Sequence, residues 1–232
     1  MNNKITYLGH STFKITTSQG KIILIDPWIL SNPACPEECK KFDKLDLMLI
    51  THAHFDHMAD AVSLAKEYYP HVVCIFEIAL WLQGKQVGKT HDMNKGGSLV
   101  IDGIKITMVH ADHSSAIVDG ETVLYGGEPV GYVIQLEDGF KFYHSGDTNV
   151  FGDMKIIGEL YKPELAMIPI GDLYNMSPLE AGYAVKLIGS KKIIPMHYGT
   201  FPALSGTPEE LKKYTADIVG LEIIALKPGE SY

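Results

Sequence analysis

A chain of 232 residues with a formal charge of −8 when its histidines are neutral can bury roughly 70% of its unfolded surface in a core. Its acidic balance excludes nucleic acid as a default partner. All twenty basic residues are lysine, so no bidentate guanidinium clamp on phosphate or carboxylate can form, and an anion must be held by metal ions, lysines or backbone amides. No apolar run is long enough to cross a membrane. "MNNKITYLGH" runs straight into a strand pattern instead of a secretory leader, which makes the cytoplasm the expected compartment. Cys35, Cys39 and Cys74 fit reduced thiols. The "CPEEC" spacing hints at a metal site or a disulfide, but no further ligands nearby complete a tetrahedron.

Short β-rich runs at 4–8, 12–16 and 21–26 open the chain, and 44–51 reads as a buried strand ending at Thr51. The next segment is helical. Met58, Ala61, Val62 and Ala65 fall at i, i+3, i+4 and i+7 and share one apolar face, and Pro70 stops the helix. A strand over 71–76 and a short helix over 77–85 follow. The glycine-rich stretches 86–98 and 114–129 read as loops. Strands are expected at 103–111, 130–137 and 140–148, then a helix near 152–161 and a strand at 165–171. Ser177, Pro178 and Glu180 predict a helix over 177–189 that opens with a capping box. A strand at 191–197, a helix at 208–218 and a strand near 221–226 close the chain. Strands and helices in two similar blocks without a linker predict a single domain over 1–232 of the α/β class, two sheets sandwiched between helices.

The stretch "THAHFDHMAD", residues 51–60, crowds His52, His54, Asp56 and His57 into six positions. His52 and His54 stand two apart in extended backbone and point the same way. Asp56 and His57 then turn at a helix start, where the helix N-terminus favours an ionised aspartate. Such crowding suits two neighbouring metal ions better than one. Further ligands are offered by His113 in "VHADHSS", Asp147 in "YHSGDT" and His197 in "IPMHYGT", each just beyond a strand, where a sheet sandwich forms a cleft at its rim.

The motif "HAHFDH" carries the HxHxDH signature, and the chain resembles the metallo-β-lactamase superfamily. More narrowly, "YLGHSTF", "IDPWI", "GDMKIIGELYKPELAMIPIG" and "IPMHYGTFPAL" resemble a bacterial and archaeal family of metal-dependent hydrolases related to ascorbate-6-phosphate lactonase. The resemblance implies an αββα four-layer fold of two mixed sheets flanked by helices. It implies one metal on His52, His54 and His113, a second on Asp56, His57 and His197, and Asp147 bridging both, which makes Asp56, Asp147 and His197 the catalytic set. His110 competes with His113, and the family's histidine before a Ser/Gly pair favours His113. His10, Asp26 and His144 are expected just outside the ligands, with Asp26 accepting an imidazole proton. His71 reads as structural, and His91 as lying in a loop that borders the cleft. Relatives often carry Gly-His or Gly-Asn where this chain has Asp172-Leu173, so Asp172, Tyr174 and Asn175 become candidates for substrate contact.

The implied chemistry is hydrolysis by a metal-bridging hydroxide, with two divalent ions, manganese or zinc first and iron or nickel next, in a nitrogen and oxygen donor set. No GxSxG nucleophile motif competes with it. The expected partner is a small anionic substrate, foremost a phosphodiester such as a cyclic nucleotide or short oligonucleotide. The alternative substrate is a sugar-phosphate lactone or ester, and the alternative class is a non-catalytic metal- or ligand-binding module. No long nucleic acid and no membrane is expected, and the relatives' symmetric assemblies make a homo-oligomer the expectation for association.

Overall fold

The computed structural model describes residues 2–232. In chain order the strands are β1 (Lys4–Gly9), β2 (Thr12–Thr16), β3 (Ile22–Ile25), β4 (Leu47–Leu49), β5 (His71–Ile75), β6 (Thr90–Met93), β7 (Ser98–Ile101), β8 (Ile104–His110), β9 (Ala116–Asp119), β10 (Thr122–Tyr125), β11 (Val130–Gln135), β12 (Lys141–His144), β13 (Leu165–Pro169), β14 (Lys192–Met196) and β15 (Glu222–Ile223). The α-helices are α1 (Phe55–Met58), α2 (Ala61–Tyr68), α3 (Phe76–Gly84), α4 (Met154–Tyr161), α5 (Pro178–Ile188) and α6 (Pro208–Tyr214). One sheet has the order β1-β2-β3-β4-β5-β6, the other β15-β14-β13-β12-β11-β8-β7, and β9 and β10 form a separate hairpin.

Both sheets are mixed. In the first, β1 to β3 pair antiparallel and β3 to β6 parallel. In the second, β12 to β15 are parallel, while β7, β8, β11 and β12 pair antiparallel. Successive residues of a strand face opposite sides, yet every residue of β4 and β13 is buried. Both sheets are therefore covered on both faces. One core fills the space between the sheets and reaches under α2 and α3, and a second lies between the outer face of the second sheet and α4, α5 and α6. Tyr132 on β11 reaches across the sandwich and donates to the Ile50 carbonyl at 2.8 Å.

This topology decides where the chemistry sits. In parallel α/β sheets, ligands bind beyond the carboxyl ends of the strands. Asp26 follows β3, Thr51 to Asp56 follow β4, Asp147 follows β12, and His197 follows β14. The parallel portions of both sheets thus open onto the same rim. None of the described helices is long and apolar enough to cross a membrane.

Several expectations change. The helix expected after His57 is two helices, α1 and α2, broken at Ala59 and Asp60. Asp60 leaves the helical path because its carboxylate accepts the backbone N–H groups of Ile29 and Leu30 at 2.6 and 2.8 Å. The stretch 86–98, expected as loop, holds β6 and the start of β7, both at sheet edges, and 114–129 holds the β9–β10 hairpin. The expected helix over 208–218 stops at Tyr214, and the last strand shrinks to Glu222–Ile223. The predicted capping box on Ser177 is present.

Candidate metal centre

The segment between β4 and α1 is fixed from beneath by Asp26. Its Oδ1 accepts the Thr51 backbone N–H and its Oδ2 the Thr51 hydroxyl, both at 2.8 Å. The same Oδ2 receives His57 Nδ1 at 2.7 Å. Asp26 is buried and adopts a positive φ of 52°. His10 and His197 share that left-handed conformation at 60° and 57°. Strained backbone of this kind persists where the surroundings over-determine it, and it collects at functional sites.

Two groups of side chains converge above this floor. His52, His54 and His113 form one, and Asp56, His57, His197 and His10 the other; within each, the ligand-type atoms lie within 4.8 Å of one another. Asp147 stands between them. Its Oδ2 lies 2.8 Å from His197 Nε2, 3.3 Å from His57 Nε2 and 3.9 Å from His113 Nε2. A single carboxylate oxygen thus touches both groups.

The proton positions that this network imposes suit metal ions. The Thr51 hydroxyl gives its proton to Asp26, so it accepts from His52 Nδ1 at 3.0 Å and leaves His52 Nε2 as a bare lone pair. That lone pair faces His54 Nδ1 at 3.0 Å. The same ring reaches Ser114 Oγ with Nε2 at 3.3 Å. His57 spends its Nδ1 proton on Asp26, and its Nε2 is buried with no hydrogen-bond partner. An orphaned ring nitrogen is costly in a dry interior unless a cation meets it, and the bare His52 Nε2 offers a second ligand atom. The residues fit a metal centre.

Electrostatics divides the centre in two. Burial pushes His52, His54 and His113 toward the neutral form, the form that binds metal. On the other side burial also favours neutral imidazole, but Asp147 and Asp26 outweigh it and raise His57, and Asp147 and Asp56 raise His197 to about 9. Burial would raise Asp147, yet His197 and His57 hold it well below the usual carboxylate range. Asp56 is likewise held low, against its burial, by hydrogen bonds from His10 and His197.

His10, expected just outside the ligands, contributes an Nε2 2.9 Å from Asp56 Oδ2 to the second group, while its Nδ1 meets Thr200 Oγ1 at 3.0 Å. His144 is withdrawn. It donates from Nε2 to the Ser11 carbonyl at 3.0 Å and accepts the Gly146 N–H at 3.1 Å, and so shapes the turn before Asp147. His110 ends β8 exposed beside Lys95, whereas His113 joins His52 and His54. His91 is on strand β6 and not in a loop; its ring pairs with His71 at 2.7 Å and does not line the cleft. Of the 172–175 segment, only Tyr174 lines the cleft. The carboxylate of Asp172 accepts the Leu173 N–H at 2.7 Å and the Asn175 amide oxygen the Gly171 N–H at 3.1 Å, so both shape the turn.

The cleft above the cluster has a volume of about 540 Å³. Its walls include Phe55, Ser114, Val118 and Phe201, none of which the sequence singled out. Phe55 directly precedes Asp56, and that adjacency was the one available signal. Ser11, whose hydroxyl lies 3.5 Å from Asp147 Oδ1, was also missed.

A sequence model of the β-lactamase superfamily domain matches residues 21–198. A UPF0173 metal-dependent hydrolase of Koribacter versatilis is 53% identical, covering 99% of this chain and 97% of the relative. The chain belongs to this family of metal-dependent hydrolases. The family extends to archaea: the UPF0173 metal-dependent hydrolase of Methanopyrus kandleri is 45% identical, covering 99% of each chain. The solved structure of Igni18, a novel metallo hydrolase from the hyperthermophilic archaeon Ignicoccus hospitalis KIN4/I, superposes with a TM-score of 0.87 at 36% identity, covering 99% of this chain and 97% of that one. The two mixed sheets and their flanking helices are the metallo-β-lactamase fold that the HxHxDH motif led one to expect.

Proposed function

We propose that this metal-dependent hydrolase holds two divalent cations, one on His52, His54 and His113 and one on Asp56, His57 and His197, with Asp147 shared, and hydrolyses a small substrate. The observation that carries this reading is the position of Asp147 Oδ2, within 3.9 Å of imidazoles from both groups. Bound there, the cations supply Lewis acidity toward the substrate oxygen and an acidified water as nucleophile.

The chain's own residues do the positioning. Asp26 fixes the Nδ1 proton of His57 and Thr51 that of His52, which turns Nε2 of His57 toward Asp147 and that of His52 toward His54. His10 holds its Nε2 proton against Asp56 and anchors the other nitrogen on Thr200. An open cleft above the cluster supports catalysis over a purely structural metal role, because structural sites are closed by their own ligands. A volume of about 540 Å³ suits a small molecule. Both candidate reactions use these parts alike: water adds to the carbonyl carbon of an ester or lactone, or to the phosphorus of a phosphodiester, and the leaving oxygen takes the proton.

Metal analysis and turnover test the reading together. Protein reconstituted with manganese or zinc should carry two ions per chain. Asp147→Asn should lower that number and abolish hydrolysis of activated esters and phosphodiesters alike. Full turnover in the variant would remove Asp147 from the mechanism.

A further inference from the structure

We infer that the cleft is built for a substrate whose reacting group is its only polar part, carried on an uncharged, apolar body, and not for a phosphorylated sugar or an oligonucleotide. The inference rests on the hydrolase reading and narrows its substrate class. It starts from the walls. Every charged or imidazole side chain that lines the cleft belongs to the metal cluster: His10, His54, Asp56, His113, Asp147 and His197. Among the described residues no lysine lines it, and the chain has no arginine. A phosphate or carboxylate distant from the reacting group would enter with no lysine or arginine to meet it, on a chain of formal charge −8.

The remaining walls are Phe55, Ala116, Val118, Tyr174, Phe201 and Ala203 with Ser114, and their only side-chain polar atoms are the hydroxyls of Ser114 and Tyr174. Three of them are large and project into solvent: Phe55 is 62%, Val118 67% and Tyr174 61% exposed. Three exposed, largely apolar side chains gathered around one cleft fit a small-molecule site. It is also held in place. The buried Trp28 packs its ring against Phe55 at 5.7 Å and Phe201 at 6.0 Å, and its indole N–H donates to Ser31 at 2.9 Å. Tyr174 is presented by a strained turn in which Asp172 and Leu173 both take positive φ, 67° and 55°. Val118 stands on the β9–β10 hairpin, which pairs with neither large sheet. Three separate elements thus offer apolar side chains to the space over the metal cluster.

The reacting group is a carbonyl or a phosphorus centre, and the substrate panel separates the two. With an ester, water adds to the carbonyl carbon, the carbon–oxygen bond to the alcohol breaks, and carboxylate, alcohol and a proton result. With a phosphodiester the same addition yields a phosphomonoester and an alcohol.

The test uses metal-reconstituted protein and p-nitrophenyl acetate, butyrate and hexanoate, together with the p-nitrophenyl half-ester of adipate, which matches hexanoate in length and adds a terminal carboxylate. Methyl p-nitrophenyl phosphate and bis(p-nitrophenyl) phosphate form the phosphorus arm. Four added methylenes should raise kcat/KM by about tenfold or more from acetate to hexanoate. The adipate half-ester should fall back by a similar factor, and the bulkier aryl phosphodiester should exceed the methyl one. Val118→Lys, at an exposed position that leaves the core intact, should reverse the preference toward the adipate half-ester. Equal rates along the acyl series, or a preference for the charged partner in the wild type, would overturn the inference while leaving the hydrolase reading in place. Should neither arm turn over, the hydrolase reading fails. Calorimetric titration with acetate and hexanoate then still decides the walls: hexanoate binding about tenfold tighter supports them, and equal affinity refutes them.

Discussion

Asp26 takes the Nδ1 proton of His57 at 2.7 Å and, through the same oxygen, the Thr51 hydroxyl proton at 2.8 Å. One buried carboxylate oxygen therefore sets the orientation of a ring in each of the two ligand groups, directly for His57 and through Thr51 for His52. Outer partners of this kind typically govern metal affinity by 10- to 100-fold. Asp26→Asn is the informative change, because asparagine tolerates the left-handed backbone that Asp26 adopts. The variant should fold, keep its circular dichroism, and bind metal about 10- to 100-fold more weakly, read by competition with a chelator. Unchanged metal affinity would show that the carboxylate is not needed to orient the rings.

His110 and His113 differ by three positions and are opposite in placement. His110 closes β8 with its ring near Lys95 and Phe151. His113 lies beyond the strand end, its ring centroid 5.2 Å from His52 and 5.1 Å from His54. His110→Ala should leave stability within about 0.5 kcal/mol, as exposed substitutions do, and turnover near wild type. His113→Ala should lower kcat/KM by at least about a hundredfold, the upper scale for partners one shell further out. Steady-state kinetics on both variants decides it, and the reverse order would exchange their roles.

The side chains that gather in the cluster stand in short runs just beyond strand ends, where few residue types can bind a metal, and the preference for His113 over His110 came from the family resemblance. Asp26 was legible for the same reason, as a carboxylate beside β3. The proximity of His10 to Asp56 was not, since the loop after β1 and the start of α1 meet only through the packing of the whole sheet. Edge strands hid for a different cause. In β6 only Met93 is buried, and all of β10 is exposed, so neither shows the alternation that marks a half-buried strand. The turn at Asp60 escaped because helical periodicity runs unbroken through it. Only the capture of its carboxylate by Ile29 and Leu30 breaks the helix.

The cysteines are the place where pH enters. Burial, with a smaller contribution from neighbouring Cys39, pushes the Cys35 thiol up to about 12, and burial also raises Cys74. All three are free and buried. The thiolate is the reactive species, so the raised pKa of Cys35 and Cys74 leaves almost none of it on these two at pH 8. Native protein should react with Ellman's reagent far more slowly than protein unfolded in guanidinium chloride, which should yield three thiols per chain. Because the folded pKa of Cys35 and of Cys74 lies above the unfolded one, burial costs nothing while these thiols stay protonated, and stability falls as pH rises from the unfolded pKa toward the folded value. Rapid labelling of Cys35 in native protein at pH 8 would contradict the placement.

Gly171 gives the sharpest test of how the fold supports the centre. It follows β13, and a Cβ built there would stand 2.0 Å from the carbonyl oxygen of His197 and 3.2 Å from Leu204 Cδ2. The first of these is backbone, so no rotamer change relieves the clash. His197 itself has little freedom: it sits at a φ of 57°, and its N–H donates to the His10 carbonyl at 2.7 Å. Gly171→Ala must therefore displace the segment that carries a proposed ligand. Overpacking of this sort costs about 1–3 kcal/mol, and more where backbone must move. The variant should melt several degrees lower. Binding at the second ligand group should weaken more than at His52, His54 and His113, because the displaced carbonyl belongs to His197. Thermal melts with and without added metal separate the two effects. An unshifted melting temperature with both ions retained would mean that β13 and the His197 segment are packed less closely than the structure has them.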